Sequence, residues 1–377
     1  MASRSEPTPL ALILAEYICS HGPITFAEYM EACLYHPVHG YYTKAEQEPR
    51  RDYFTSVDAS PLFGRLLARQ FQEMWCTVGR PDAFWLVEAG GGTGQLGKQI
   101  LDFAAEAWPD FYEALRFLAV ERSAARRTVQ SKSMEAHFAR GKFASQEELR
   151  DEIACGCIFS NELIDAMPVH RVMREGNELR EMYVGLGKNG LCDEIGPLSS
   201  NALDEYFSEQ QIVLLDEQQA EVNLAARRWI EEAGRKLKRG FILTIDYGHE
   251  AKELYDERHM RGTLLAYERH RASEDWFRAP GKQDLTAHVN FTALDLYGQR
   301  SGLVRTGFTS QSNFLLALAR HGNFADLQSD EMNEAEQTQR RLLFKTLINP
   351  EGMGETFQVL VQRKGTDPVN LAGLQPL

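Results

Sequence analysis

An acidic residue and three glycines at alternate positions form the segment of this chain that is best suited to chemistry. Glu88, Gly90, Gly92 and Gly94 come directly after the apolar residues 84–87. Glycines at the carboxyl end of a strand let the backbone turn tightly, and the N–H groups at the start of a following helix attract nucleotide-like ligands. The spacing therefore predicts a nucleotide-like cofactor at this loop.

This glycine-rich segment partly matches three known sequence motifs. Gly92, Gly94 and Gly97 have the spacing of a dinucleotide fingerprint, but the first of them lies too far past the strand end. Gly97 and Lys98 would also complete a Walker loop, yet Gln99 replaces the hydroxyl that should bind magnesium. We favour the third pattern, an acid followed by glycines at every second position, which is similar to motif I of S-adenosylmethionine-dependent methyltransferases. In that motif the acid helps to hold the cationic methionine part of the cofactor.

A second acid stands where this cofactor would need one. Glu121 follows the apolar run 117–120, and a carboxylate at a strand end can accept both ribose hydroxyls of an adenosine. Gly90 and Glu121 are 31 residues apart, more than the usual ~20, and a modest insertion at 108–115 accounts for the excess. We therefore predict an S-adenosylmethionine site, without a metal, formed by Glu88, Gly90, Gly92, Gly94, Glu121 and Asn161.

The elements that must position these residues are short apolar strands. Continuous apolar runs occur at 84–87, 117–120, 157–159 and 241–245, as expected of strands buried on both faces of a parallel sheet. Apolar residues at helical spacing separate several of these runs, and they lie at 61–75 and 96–107. The alternation predicts an α/β sheet with right-handed crossovers.

Two less regular regions interrupt the alternation and are candidates for a substrate lid. After them, helices are predicted at 291–299 and 314–320, and strands at 303–309 and 356–362. We predict one decorated domain with six segments: an N-terminal helical extension and cofactor-covering segment (1–60), the first part of the core (61–173), a mostly helical insertion (174–239), a core strand (240–250), an insertion or substrate lid (251–289), and the rest of the core with a final antiparallel strand (290–377).

Composition narrows the function further. The 377 residues include 41 Lys and Arg against 54 Asp and Glu, which gives a formal net charge of −13. This acidic balance argues against a protein whose main task is to bind nucleic-acid phosphates. No apolar run approaches the ~20 residues that span a bilayer, and the amino terminus fits neither a secretory signal nor a transit peptide. We expect a cytoplasmic protein whose six cysteines form no disulfide framework.

Several segments, in order and spacing, resemble the MidA-like family of methyltransferases over nearly the whole chain. These segments are Asp52–Gly64, the glycine loop, Asn161–Val169, Asp246–Gly248, Asp284–Phe291 and Met353–Leu360. The resemblance implies a Rossmann-like seven-stranded methyltransferase fold with helical insertions, binding S-adenosylmethionine and methylating an arginine of a protein. The family includes a mitochondrial complex I assembly factor associated with symmetric dimethylation of an arginine in a complex I subunit. This chain departs from the family at Gly91, where proline is usual, and at Val57–Asp58, where a Pro-Glu pair is favoured.

The chemistry of methyl transfer singles out a few catalytic candidates. The displacement mainly requires that the reacting groups are aligned and water is excluded, and a guanidinium is a rigid fork of donors that carboxylates can clamp. We predict Asn161 and Glu162 at the reaction centre, with Asp165 as a second carboxylate or a simple turn cap. His288 would orient the substrate or accept a proton. Three aromatic residues either cover the cofactor, face a guanidinium or simply pack: Tyr41, Tyr42 and Phe54.

Two other functions stay open at this point. An NAD(P)-dependent oxidoreductase could use the same loop, although an antiparallel final strand would disfavour it. A non-catalytic assembly factor could keep the fold and bind a partner through its insertions. The partner of the favoured enzyme is an arginine-bearing protein, and a homodimer is a further open alternative.

Overall fold

The computed structural model describes residues 6–44, 61–269, 271–327, 333–349 and 356–376. Phe54 and most of the family segment Asp52–Gly64 lie outside these ranges, as does part of the predicted cofactor-covering segment. The chain divides into two compact units. The sheet unit comprises residues 54–163, 230–248 and 297–377, and the insertion unit comprises residues 1–53, 164–229 and 249–296.

The elements are numbered in chain order. The strands are β1 (Ile24–Thr25), β2 (Phe84–Ala89), β3 (Leu115–Val120), β4 (Phe143–Gln146), β5 (Gly156–Asn161), β6 (His170–Glu175), β7 (Glu178–Gly187), β8 (Gly190–Gly196), β9 (Gln219–Val222), β10 (Gly240–His249), β11 (Leu265–Glu268), β12 (Arg271–Ser273), β13 (Asp284–Thr286), β14 (Val289–Asn290), β15 (Val304–Ser310) and β16 (Phe357–Lys364). The α-helices are α1 (Pro9–His21), α2 (Phe26–Tyr35), α3 (Tyr41–Lys44), α4 (Pro61–Thr77), α5 (Gln95–Ala107), α6 (Pro109–Ala114), α7 (Ala124–Ser133), α8 (Glu135–Ala139), α9 (Ala202–Glu209), α10 (Leu224–Lys236), α11 (Ala251–Leu254), α12 (Phe291–Arg300), α13 (Gln311–His321) and α14 (Glu334–Ile348).

Seven strands of the sheet unit lie side by side in the order β15, β16, β10, β5, β2, β3, β4. The five strands from β10 to β4 are parallel, whereas β16 is antiparallel to both of its neighbours. The strand order reverses between β2 and β5. In an open α/β sheet, the carboxyl ends of the two strands at such a point form the usual ligand crevice. The predicted seven-stranded fold is confirmed.

Buried aromatic rings pack around β5, one of the two strands that meet at this crevice. The ring of Phe159 on β5 lies 4.9 Å from the ring of Phe71 on α4 and 6.2 Å from that of Phe117 on β3. All three side chains are fully buried, and each contributes about 1.5–3 kcal/mol by leaving water. Gly64 allows α4 to approach α5 closely, because a Cβ at this position would overlap the Gln99 side chain.

The insertion unit has an apolar core of its own, which includes Phe26, Tyr29 and Trp276. Strands β1, β7, β6 and β9 pair in that order with β8 on β7, and β12, β11 and β13 form a second small sheet. The buried guanidinium of Arg171 lies 4.3 Å from the Trp276 ring and 5.1 Å from the Phe26 ring, and it donates to Asp193 at 2.6 Å. This cation between two rings ties β6 to the core.

The insertions differ from the sequence prediction. The segment 174–239, predicted to be mostly helical, contains β7, β8 and β9 besides α9 and α10. Polar residues interrupt all three strands, so they lack the continuous apolar signal of the buried strands. The chain forms two compact units where one decorated domain was expected, because the inserted segments share their own core. Helix α14 was not predicted, and no helix in the described ranges is long and apolar enough to cross a membrane.

Candidate cofactor and active site

The glycine loop turns between β2 and α5 with left-handed backbone at alternate positions. Gly90, Gly92 and Gly94 have φ angles of 73°, 52° and 81°, a region that glycine adopts without strain. The N–H of Gly90 donates to the carbonyl oxygen of Val120 at 2.9 Å, which joins the loop to the end of β3. A Cβ at Gly92 would meet nothing closer than the Gly90 oxygen at 3.9 Å. The loop is therefore fixed at its base and open at Gly92.

Glu88 lies beneath this loop near the end of β2. Its side chain is buried, and its Oε2 has no hydrogen-bond partner among the described residues. Burial and then the charge of Glu121 raise the pKa of Glu88 to about 8, against the opposing effect of the Gly97 N–H. A cationic ligand close to this carboxyl group would favour its ionised form and so lower its pKa.

Glu121 follows β3 and holds the loop from the side. Its Oε2 accepts the Gly92 N–H at 3.0 Å and its Oε1 accepts the Ser123 N–H at 2.9 Å. The guanidinium of Arg126 lies 4.0 Å from the carboxylate. Because each carboxylate oxygen has two lone pairs, Glu121 can accept ribose hydroxyls while it keeps both backbone hydrogen bonds.

Gln130 on α7 supports the same loop, and sequence reasoning missed it. Its Nε2 donates to the Gly92 carbonyl oxygen at 2.9 Å, and its Oε1 accepts the Ser145 hydroxyl at 2.5 Å. The side chain is fully buried. A glutamine in an otherwise polar helix looks like a surface residue, so the sequence carries no signal for this contact.

Asn161 and Glu162 stand at the carboxyl end of β5, next to the end of β2. Glu162 has a φ of 52°, which is costly for a residue with a side chain and is typical of functional positions. Its Oε1 accepts the Asn161 side-chain amide at 3.1 Å. The Oδ1 of Asn161 is buried and has no hydrogen-bond partner in the described part of the chain. Both predicted residues therefore lie at the carboxyl end of β5, beside the strand that leads into the glycine loop.

Asp246 joins the carboxyl ends of β5 and β10 through hydrogen bonds. This buried carboxylate accepts the N–H of Leu163 at 3.2 Å and that of Tyr247 at 3.0 Å, and the Glu162 N–H donates to the Ile245 carbonyl oxygen at 3.1 Å. The backbone around Glu162 is therefore held by β10, which positions its side chain.

Asp165 and His288 belong to the insertion unit. The carbonyl oxygen of Asp165 accepts the Ala287 N–H at 3.0 Å, so the two segments are adjacent. Tyr42, one of the predicted aromatic residues, donates its hydroxyl to both carboxylate oxygens of Asp284, at 2.9 and 3.1 Å. The catalytic roles of Asp165 and His288 stay predictions.

His288 is part of a histidine cluster, which consists of His249, His259 and His288. The His288 ring lies 5.4 Å from the His249 ring and 6.4 Å from the His259 ring, and the latter two are 5.6 Å apart. Burial and then its two histidine neighbours lower the pKa of His288 to about 4, so it is neutral at physiological pH. Within the described ranges, no group of His, Cys, Asp and Glu residues is arranged to hold a metal ion.

The sheet unit fits S-adenosylmethionine. It has an open loop at Gly92, a buried carboxyl oxygen without a partner at Glu88, and a carboxylate for the ribose at Glu121. Together with the seven-stranded sheet, these features define an S-adenosylmethionine-dependent methyltransferase. The chain belongs to the MidA-like family of these enzymes, whose family model matches residues 66–309.

Known relatives are similar along most of their length. The mitochondrial protein arginine methyltransferase NDUFAF7 of Danio rerio is 28% identical and is matched over 92% of this chain and 84% of its own. The human NDUFAF7 is also 28% identical, over 94% of this chain and 85% of its own. A crystal structure of a related protein from Burkholderia thailandensis bound to S-adenosyl-homocysteine has a TM-score of 0.86 and 28% identity, covering 98% of this chain and 97% of that chain.

The cofactor of this enzyme is therefore S-adenosylmethionine. The oxidoreductase alternative has no support, since the family model describes methyltransferases and β16 is antiparallel.

Proposed function

We propose that this methyltransferase modifies an arginine side chain of a protein. The pair formed by Asn161 and Glu162 carries the proposal, because it presents an amide and a carboxylate at the end of β5, beside β2 and its glycine loop. The names of the curated relatives, which are protein arginine methyltransferases, support the same substrate class.

The chemistry of a guanidinium suits these residues. S-adenosylmethionine, when bound, supplies a methyl group on a cationic sulfur. The residues of this chain must then hold the guanidinium, exclude water and lead away one proton. A carboxylate such as Glu162 accepts two guanidinium donors in a fork, and the Oδ1 of Asn161 can accept a third. The left-handed backbone of Glu162 destabilises the folded protein by roughly 1–2 kcal/mol. The fold tolerates this strain at the position where the carboxylate is held in place.

A transfer experiment tests the substrate class. The protein is incubated with methyl-labelled S-adenosylmethionine and a lysate of its host, and labelled proteins are hydrolysed to amino acids. We expect the label to co-migrate with methylated arginine standards. Label found on small molecules, on RNA or on another amino acid would contradict the proposal.

A matched pair of variants tests the role of Glu162. Glu162→Gln keeps the size of the side chain but removes its charge, so we expect methylation to fall at least ~100-fold while S-adenosylhomocysteine binding is unchanged. Glu217→Gln is the control, because Glu217 is exposed and has a similar φ of 62°. If Glu162→Gln retained full activity, the carboxylate would have no part in the reaction. If the wild-type protein bound a partner protein and the cofactor but methylated nothing, the assembly-factor alternative would stand.

The cytoplasmic location and the protein partner are parts of the same proposal. The acidic charge of −13 suits a basic, arginine-bearing partner, since complementary charge speeds encounter. Cell fractionation tests the location, and the labelled lysate identifies the partner. Light scattering of the purified protein gives its oligomeric state and so tests the homodimer.

A further inference from the structure

A groove of about 440 Å³ lies on the insertion unit, between the β6–β7 hairpin and helix α9. Binding pockets typically have volumes of ~300–1,000 Å³. None of the residues assigned to the cofactor or to the reaction lines this groove. Its apolar walls consist of Leu179, Phe207, Ile212, Val213 and Leu214.

The floor of the groove is fixed by packing inside the insertion unit. Phe207 is buried, and its ring lies 5.2 Å from the Tyr255 ring and 5.7 Å from the Tyr206 ring. Leu214 is buried as well, whereas the side chain of Val213 is 73% exposed. An exposed apolar side chain beside an apolar floor is stabilised when a partner covers it.

The loop that follows α9 already has a defined shape in the free protein. The Ile212 N–H donates to the carbonyl oxygen of Phe207 at 3.0 Å, and the Leu215 N–H donates to the Oε1 of Gln218 at 2.8 Å. Gln218 is fully buried. Gln211 has a φ of 57°, a strained conformation that is common in ligand-binding segments. A preformed loop loses little entropy when a partner binds.

The rim of the groove is acidic. Among the lining residues, Glu178 and Asp204 contribute carboxylates and Arg174 contributes a guanidinium. The Nε of Arg174 donates to the carbonyl oxygen of Gly176 at 2.8 Å, which holds this cation against the hairpin turn. Residues 201–217 include five Asp and Glu and no Lys or Arg. This charge favours a basic partner, because a second copy in a symmetric dimer would bring acid against acid.

We propose that the groove docks the protein substrate through a segment that places a large apolar side chain between the walls and a basic side chain at Glu178 and Asp204. The segment adds affinity, while Asn161 and Glu162 hold the reacting arginine. The inference rests on the proposed function, since it requires a protein substrate, and it specifies which part of that protein the enzyme recognises.

A matched pair of variants tests the charge. Asp204 and Glu205 are adjacent, exposed acids in the first turn of α9, but only Asp204 lines the groove. The substrate is the host protein that the labelled-lysate assay identifies. Asp204→Lys should raise its KM about 5-fold without changing kcat, because attraction to a basic side chain becomes repulsion. Glu205→Lys changes the net charge equally and should keep KM within about 2-fold of the wild-type value. Equal KM values for the two variants would overturn the proposal.

A bulky side chain tests the apolar part. Ser208 is an exposed lining residue, so the indole of Ser208→Trp should fill space between the walls and raise the same KM at least ~10-fold. Ser20→Trp, at an exposed serine of α1, should leave KM unchanged. Urea unfolding checks that each variant is folded, and the charge pair decides the question if Ser208→Trp is not.

The outcomes separate the groove from the reaction. Methylation of arginine with the same KM in the wild-type protein, Asp204→Lys and Ser208→Trp would overturn the docking role and leave the proposed function standing. A wild-type protein that methylates no arginine of any protein would contradict both. If light scattering showed a dimer that Ser208→Trp dissociates, the groove would belong to a second copy of the chain and the proposal would be wrong.

Discussion

Gln130 donates its side-chain amide to the carbonyl oxygen of Gly92 at 2.9 Å, across 38 positions of sequence. Ser145 on β4 donates to the other end of the same amide. The glycine loop is thus supported by a helix and a strand that contribute no residue to its sequence motif. We expect the conformation in which the loop meets the cofactor to depend on this contact.

Replacing Gln130 should weaken cofactor binding. Gln130→Met keeps the length of the side chain but removes both hydrogen bonds, each worth about 0.5–1.5 kcal/mol. We expect the dissociation constant of S-adenosylhomocysteine to rise roughly 10-fold, as measured by calorimetry. Ser131→Ala changes an exposed residue on the same helix and should leave affinity unchanged. Equal affinities of Gln130→Met and the wild-type protein would show that the loop keeps its conformation without this support.

Alanine at Gly92 should affect the cofactor more than the fold. Gly92 has a φ of 52° and open space where a Cβ would be, and Gly141 has a φ of 67° and also open space. Both alanine variants should therefore lose about 1 kcal/mol of unfolding free energy from backbone strain. Only Gly92→Ala places a methyl group in the predicted cofactor space, so only this variant should bind S-adenosylhomocysteine at least ~10-fold more weakly. Urea unfolding and calorimetry check the two parts, and similar affinities in both variants would count against a cofactor next to Gly92.

His288 should make the folded protein sensitive to acid. Burial and its two histidine neighbours lower the pKa of His288 from 6.5 to about 4, so the unfolded chain takes up this proton at a higher pH than the folded protein does. The stabilisation is complete above pH 6.5 and is lost as the pH falls through 4, with a total of up to about 3 kcal/mol.

The His288→Gln variant should therefore lose less stability on acidification than the wild-type protein. Urea unfolding at several pH values between 7 and 4 measures the difference. His321→Gln, at an exposed histidine, should follow the wild-type profile. Parallel profiles for His288→Gln and the wild-type protein would mean that other groups cause the acid sensitivity.

Glycine at position 162 should separate stability from activity. Glu162→Gly relieves the left-handed backbone at a φ of 52°, so the unfolding free energy should stay the same or rise by up to about 1 kcal/mol. Loss of the carboxylate should reduce methylation at least ~100-fold. Glu217→Gly relieves similar strain at an exposed site and should keep full activity. A stability loss above ~2 kcal/mol in Glu162→Gly would instead assign Glu162 a structural role.

The sequence was sufficient to predict those strands that a short run of consecutive residues identifies. The runs at 84–87 and 241–245 are continuous and apolar because both faces of β2 and β10 are covered. The positions of Glu88, near the end of β2, and of Glu121, directly after β3, follow from these strand signals. The antiparallel final strand is confirmed as β16.

What the sequence did not reveal depends on contacts between distant segments. Gln130 acquires its role only when α7 packs beside the loop, and His249, His259 and His288 meet only when three separate segments of the chain come together. The strands at 178–187 and 190–196 are partly exposed and lack the continuous apolar run of the strands in the sheet unit, so their sequence is easily taken for that of a polar helix or loop.

The place of β16 in the sheet has a consequence for synthesis of the protein. β16 lies between β10 and β15, although it follows both in the chain. As the nascent polypeptide leaves the ribosome, the facing edges of these two strands have no partner until residues 357–364 are made. Unpaired strand edges favour wrong pairing and aggregation. Translation that stops before Phe357 should yield an insoluble product, and full-length chains should depend on chaperones during this interval.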